Sequence, residues 1–269
     1  MQEPIITLTT DFGADSPYAA AMKGVILSIN PGARIVDLTH AIPPHDIWHA
    51  AFYLAEGIPF FPPELVHVVV VDPGVGTQRP IIYAEVGSHR ILAPDNGVIS
   101  LLAMKLVVAN ARFVTEPRFW RSKVSNTFHG RDILAPVAAH LTMGLDPAQL
   151  GPATAAWVRL PISTAEQRGN TLCGAVLFVD HFGNLLTNLP PDKLPDGKLC
   201  LRLRGGNGGA MLERPVRVVR AYGDAPKGEL VALVSSGGWW EFAIVEGNAA
   251  QALGVRRGDP VEVVIAGQS

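Results

Sequence analysis

The stretch Val68-Val69-Val70-Val71-Asp72-Pro73-Gly74-Val75-Gly76-Thr77-Gln78-Arg79 runs from four valines into a carboxylate, a glycine-rich turn and an arginine seven residues past the aspartate. A β-branched run of this kind suits a buried strand. Its abrupt end puts polar side chains at the carboxyl end of that strand, where the sheet holds a site rigid and the loop leaves it open to ligand. Asp-Pro-Gly is also an ordinary turn former, so the stretch alone decides nothing about function. The same shape occurs earlier. Ile5-Ile6-Thr7-Leu8-Thr9-Thr10-Asp11-Phe12-Gly13 again carries an apolar strand pattern into an aspartate and a glycine.

Between these two runs the pattern alternates: strand 5–10, helix about 16–29 (Ser16 or Pro17 at its start, Pro31 beyond its end), strand 34–38, helix about 46–56, strand 66–71. That is βαβαβ, which predicts a largely parallel sheet with helices on both faces and ligands at the carboxyl ends of the strands. Further on, 80–86 and 89–93 read as a strand pair, Asn96-Gly97 as a turn and 98–104 as a helix. Another helix is expected from Gly130 to about Met143, with Pro136 in its first turns, where proline costs least. From about residue 171 the texture changes to short strands at close spacing: 173–179, 198–204, 216–220, 229–234, 240–245 and 260–265. This predicts a small all-β unit. Gly205-Gly206-Asn207-Gly208-Gly209 reads as a hairpin tip. The polar, aperiodic segment Pro161–Asn170 is the expected boundary, giving an N-terminal α/β domain over 1–163 and a C-terminal all-β domain over 171–269.

The chain has 269 residues, 48% of them apolar, enough for a substantial core in one or two domains. A net charge of −2 leaves no basic footprint for nucleic acid, and a small neutral or zwitterionic ligand is expected instead. Cys173 and Cys200 lie outside any Cys-x-x-Cys pattern, which argues against a zinc ribbon or a disulfide framework; both are expected to be buried apolar fillers. No apolar run approaches the ~20 residues of a membrane span, and the amino terminus lacks a signal pattern, so a soluble cytoplasmic protein is expected.

Thr127-Phe128-His129-Gly130-Arg131-Asp132 is a third dense cluster. A histidine where a helix begins can act as acid, base or water holder near neutral pH, or simply fill space while Thr127 and Asp132 cap. Asp72, Arg79 and His129 taken together can hold and polarise one water without a metal. A rival constellation is His40-Ala41-Ile42-Pro43-Pro44-His45-Asp46-Ile47-Trp48-His49, in which His45 and His49 stand one helical turn apart. It lacks the glutamate of a zincin, and Pro43-Pro44 suggests that His45 only opens a helix. Asp180-His181-Phe182-Gly183-Asn184 and Ser235-Ser236-Gly237-Gly238-Trp239-Trp240-Glu241 lie at strand ends of the β unit. Both carry the polar groups and aromatic faces that would suit a purine and an amino acid, and either could equally be turn chemistry.

In combination these segments resemble the S-adenosyl-L-methionine hydrolases, also called SAM hydroxide adenosyltransferases, which are related to fluorinase and chlorinase. The resemblance covers nearly the whole chain. It rests on Thr9-Thr10-Asp11-Phe12-Gly13, Met22-Lys23-Gly24-Val25, Asp72 to Thr77, Ala93-Pro94-Asp95-Asn96-Gly97, Phe128 to Asp132, Asp180 to Asn184 and Gly247-Asn248-Ala249-Ala250. It implies an N-terminal α/β domain, a C-terminal β-barrel and a homotrimer with active sites at subunit interfaces. It also implies attack of water on the 5′ carbon of S-adenosyl-L-methionine, giving adenosine and L-methionine, with no cofactor. By position, Asp72, Arg79 and His129 match the family's water-binding triad, and Asp11 matches the carboxylate on the ribose hydroxyls. Phe182 and Asn184 match adenine contacts; Asp180 and the Ser235-Ser236 region, with Trp239 and Glu241 beside it, match the grip on methionine. The halogenases carry serine and tyrosine in the positions aligned with Gly130 and His129, so the water-using branch is expected. Three other readings stand beside this one: a halide-dependent adenosyltransferase, a non-catalytic nucleoside binder and a metal-dependent hydrolase.

Overall fold

The computed structural model describes residues 4–193, 198–204 and 211–265. The chain divides between Leu160 and Pro161 into two compact units. The glycine-rich segment 205–209 lies outside the described residues.

The first unit is built on a six-stranded sheet. Its strands are β1 (Ile5–Thr10), β2 (Arg34–Thr39), β3 (Val66–Val70), β4 (Ile81–Val86), β5 (His89–Pro94) and β6 (Val108–Phe113), in the order β2-β1-β3-β5-β4-β6. β1 runs parallel to β2 and β3, β3 parallel to β5, and β4 antiparallel to β5 and β6. From β1 the chain crosses to β2 on one side through helix α1 (Pro17–Ile29), then returns past β1 through α2 (Ile47–Gly57) to β3 on the other side. Right-handed crossovers in opposite directions put those helices on opposite faces of the sheet. Both side-chain parities of β3 are accordingly buried, and a continuous valine run tolerates this where alternation would not. The order also reverses between β1 and β3, which makes the carboxyl ends of these two strands the switch point where sheets of this class take their ligands. Asp11 follows β1 and Asp72 follows β3.

Local signals set the helix starts. Ser16 caps α1, its Oγ accepting from Tyr18 N at 3.2 Å with Pro17 next in line, and Asp46 caps α2 through His49 N at 3.0 Å. The helix expected over 98–104 shrinks to α3 (Leu102–Lys105). The one expected over 130–143 divides into a π-turn, Gly130–Leu134, where Ala135 N donates to Gly130 O, and α4 (Ala135–Thr142). Pro136 has no N–H for the carbonyl of Asp132, four residues back, and Arg121 N donates to that carbonyl instead, at 2.9 Å.

The second unit is a β-barrel. Its strands are β7 (Glu166–Arg168), β8 (Thr171–Val179), β9 (Leu185–Thr187), β10 (Lys198–Arg204), β11 (Met211–Val218), β12 (Leu230–Val234), β13 (Trp240–Ile244) and β14 (Pro260–Ile265). They follow the order β14-β10-β11-β12-β13-β9-β8, with β8 pairing back onto β14 to close the ring and β7 added beside β8. Inside, Leu201, Val216, Trp240, Phe242, Val261 and Val263 form the core. Cys173 and Cys200 are half-buried free thiols rather than fully buried fillers. Among the described residues, no helix is long and apolar enough to cross a membrane.

Candidate active site

The loop after β3 folds back on itself. Thr77 Oγ1 donates to Gly74 O at 2.7 Å and accepts from Arg79 N at 3.2 Å, which turns the arginine toward Asp72. Arg79 Nε donates to Asp72 Oδ1 at 2.9 Å and Nη2 donates to Oδ2, a two-pronged pair that is largely buried. The same Nη2 lies 2.9 Å from His129 Nδ1. The structure therefore joins the three residues of the sequence-derived triad in one line, with Arg79 in the middle. Burial, then the adjacent Arg79 charge, pushes the His129 imidazole below its ordinary pKa, against a smaller opposing pull from Asp72 and Asp132.

Two glycines make this approach possible. A Cβ on Gly74 would stand 3.2 Å from Arg79 Cγ. Gly76 has φ +79, and a Cβ there would overlap the carbonyl oxygen of Asn126, so the Asp72–Arg79 loop docks directly on the segment leading to His129. Asp132 anchors that segment. Its fully buried carboxylate accepts from Arg131 Nε and Nη2 at 2.7 and 2.8 Å, from Arg121 Nη1 at 2.9 Å and from Ser125 N at 2.9 Å. Burial alone would raise its pKa, but these donors outweigh it and hold the group at about 2.

Asp11 sits on the neighbouring loop, its Oδ2 accepting from His45 N at 2.8 Å; among the described residues Oδ1 has no partner. Behind it, Thr10 Oγ1 meets His40 Nδ1 at 2.8 Å, and Gly13 N donates to His40 O at 2.8 Å. Phe12, Tyr18 and Phe128 pack edge to face at 5.3–5.7 Å between centroids, tying the Asp11 loop to the His129 loop.

The second unit carries its own polar cluster. Asp180 Oδ1 accepts from Phe182 N at 2.9 Å and Asn184 N at 2.8 Å, and Oδ2 accepts from Asn184 Nδ2 at 3.0 Å. In this turn Phe182 is 73% exposed. Gly183, at φ +85, packs against Asn248, which caps helix α5 (Ala249–Leu253) through Gln251 N at 2.7 Å. Ser235 Oγ accepts from Trp239 N at 3.2 Å in the β12–β13 turn, where Ser236 is exposed and Trp239 buried. Glu241 is buried and accepts from Tyr222 Oη at 2.6 Å. Burial, then Glu241 and Asp180, raises the Tyr222 phenol well above its ordinary range.

Models of two domains match this chain: the SAM hydroxide adenosyltransferase N-terminal domain over residues 6–151 and the C-terminal domain over 174–262. The chain belongs to the SAM hydroxide adenosyltransferase family. Proteins named (R)-S-adenosyl-L-methionine hydrolase from Thermus thermophilus and Salinispora arenicola are 39% and 38% identical to it. The alignments cover 95% and 97% of this chain and 97% of each relative. A solved structure of an uncharacterized conserved protein from Thermotoga maritima superposes with a TM-score of 0.86 at 37% identity, covering 97% of this chain and all of that one. Fluorinases match at lower identity; that of an Actinoplanes species is 27% identical over 69% of this chain.

Within this member of the SAM hydroxide adenosyltransferase family, the rival histidine constellation does not assemble. His45 precedes the helix at φ +65 and gives its backbone N–H to Asp11, while His49 lies inside α2 stacked on Tyr53 at 5.0 Å. Among the described residues, no three His, Cys, Asp or Glu side chains gather closely enough to hold a metal. Sequence reasoning missed Tyr222, whose partner stands 19 residues on. It also missed the packing of Gly130, where a Cβ would come within 3.1–3.2 Å of Val70 and Met22 Sδ. The Met22-Lys23-Gly24 motif signals the latter only once α1 is known to lie there.

Proposed function

We propose that this chain hydrolyses S-adenosyl-L-methionine, with Asp72, Arg79 and His129 holding the attacking water. Water displaces methionine in line from the 5′ carbon, the C–S bond breaks with its electron pair leaving on sulfur, and adenosine, L-methionine and a proton result. The sulfonium leaves readily, so catalysis rests on an aligned, desolvated nucleophile rather than on acid assistance. The observation that carries the reading is the single guanidinium shared between Asp72 and His129. Arginine only donates, so His129 Nδ1 accepts and the neutral ring carries its proton on Nε2. This favours a water-orienting donor over a base. Water has a pKa of about 15.7, and a nearby cation stabilises the hydroxide character that develops as the proton departs.

In this reading Asp11 holds the ribose hydroxyls, Phe182 and Asn184 contact adenine, and Asp180 with Ser235, Ser236, Trp239 and Glu241 serves the methionine end. The relatives' names specify the R epimer at sulfur, and we assign that epimer to this chain. We also take the enzyme to be cytoplasmic, free of cofactor and metal, and a homotrimer with active sites at its subunit interfaces. Gly130 argues against a halide-using transferase: a serine there would press on Val70 and Met22. Incubation of the pure protein with each sulfonium epimer, followed by chromatography, tests the activity; adenosine and methionine in equal amounts are expected from the R form. No adenosine from folded protein would overturn it, and halide-dependent product would favour the transferase. An unchanged rate in EDTA and a trimer mass in solution are expected alongside.

A further inference from the structure

The Ala93–Gly97 motif has no part in the reaction proposed above, yet it touches the backbone of that site. β3 and β5 pair in register from Val66–Arg90 to Val68–Leu92 and no further. Beyond that point the backbone at the end of β5 offers β3 no donor. Pro94 has no N–H, Asp95 N donates to Pro80 O at 3.0 Å, and Asn96 N turns back to Pro94 O at 3.0 Å. The Asn96 side chain fills the gap: Nδ2 donates to Val71 O at 2.8 Å, while Oδ1 accepts from Val98 N at 3.2 Å. Both contacts demand the same orientation of the amide, so donor and acceptor ends are fixed by their partners.

Val71 O belongs to the peptide bond that leads into Asp72. Holding that carbonyl fixes the peptide plane from which the Asp72 side chain departs, and Asp72 in turn holds Arg79 against His129. The turn itself is braced separately: Asp95 Oδ1 accepts from Val158 N, and Ser100 Oγ from Leu160 N, both at 2.8 Å. We propose that Asn96 is a positioning residue for Asp72, acting through the Val71–Asp72 peptide. This inference rests on the reading of Asp72, Arg79 and His129 as the water-holding edge.

Asn96→Asp keeps the shape and the contact with Val98 N but sets a carboxylate oxygen against Val71 O; Asn96→Ala removes both contacts. Displacing a reacting group by about 1 Å can cost up to about 10²-fold, so kcat for adenosine release should fall by about 10-fold to 10²-fold with KM nearly unchanged. Ser100→Ala, which loosens the turn on its other side, should lower the melting temperature and leave kcat at the wild-type level. The second readout is the His129 imidazole resonance, which the Asn96 variants should shift and Ser100→Ala should not. Folded Asn96 variants with wild-type kcat and an unshifted His129 signal would overturn the assignment, as would failure of both variants to fold, since Asn96 would then be a determinant of the fold. If the wild type releases no adenosine, the hydrolase reading fails by itself. The imidazole signal then decides this inference, a shift supporting it and an unchanged signal refuting it.

Discussion

Arg79 Nη2 stands 2.9 Å from His129 Nδ1 while the same guanidinium grips both oxygens of Asp72. Protonating His129 would put an N–H where Arg79 already presents one, so the contact exists only with the neutral ring. Burial and Arg79 both lower the imidazole pKa, which keeps the ring neutral as pH falls through 6.5. The acid limb of kcat/KM for adenosine release should therefore lie below pH 6.5. Arg79→Gln, which removes one of the two causes, should move any measurable limb upward. A wild-type limb above pH 7 would refute this account.

The pair with Asp72 makes a separate prediction. Asp72→Asn keeps the shape but leaves the Arg79 charge without its counter-charge, and Arg79→Lys keeps the charge but loses the fork that reaches Asp72 and His129 together. Each should lower kcat by about 10²-fold to 10³-fold, the range for removing one preorganised electrostatic contact. The stability cost for Asp72→Asn should be about 1–3 kcal/mol, read from urea denaturation. If kcat stays near wild type in either variant, the triad is not the water-holding edge.

How much of this was legible in the sequence depended on period and on range. β1, β2, β3, α1 and α2 were readable because Val, Ile and Leu runs are bounded by Ser16-Pro17, Pro31 and Pro43-Pro44. β6 was not: Asn110 at φ +47 and a register shift opposite Tyr83–Glu85 break its alternation. α5 was too short to show a helical period, although Asn248 at its start and left-handed Gly254 at its end bracket it. In the site, Asp72, Arg79 and His129 could be named from local motifs. That one arginine reaches His129 and that Asn96 holds the Val71 carbonyl are long-range contacts with no periodic trace. The anchoring of the second loop by Asp132 runs over 1–11 residues but through side chains that follow no period.

The two glycines of the Asp72–Arg79 loop should separate in their effects. Gly76→Ala forces a left-handed conformation on a residue with a Cβ and drives that atom into Asn126 O, so it should cost about 2 kcal/mol or more and undock the loop from segment 121–129. Hydrogen exchange in that segment should rise and the melting temperature should fall. At Gly74 an added Cβ meets Arg79 Cγ at 3.2 Å without a positive φ. Gly74→Ala should therefore be milder on stability and register mainly in kcat. Equal melting temperatures for the wild type and Gly76→Ala would contradict the docking of the two loops.

A buried histidine far from this chemistry gives the fold its own acid sensitivity. His67 on β3 is 1% exposed; its Nδ1 meets Thr7 Oγ1 at 2.7 Å and its Nε2 faces His89 Nδ1 at 3.4 Å. Burial, then the second imidazole, lowers its pKa from 6.5 to about 3, and burial lowers that of His89 as well. Between these values the unfolded chain binds a proton that the folded one excludes. Stability due to His67 is thus complete above pH 6.5 and is lost progressively as pH falls toward 3. At pH 4.5 the loss should be about 2–3 kcal/mol, two pH units at about 1.4 kcal/mol each. His67→Gln keeps a polar group near Thr7 without titrating, so its urea midpoint should change less between pH 7 and pH 4.5 than that of the wild type. Parallel midpoints for the two proteins across that range would assign the acid sensitivity to other groups.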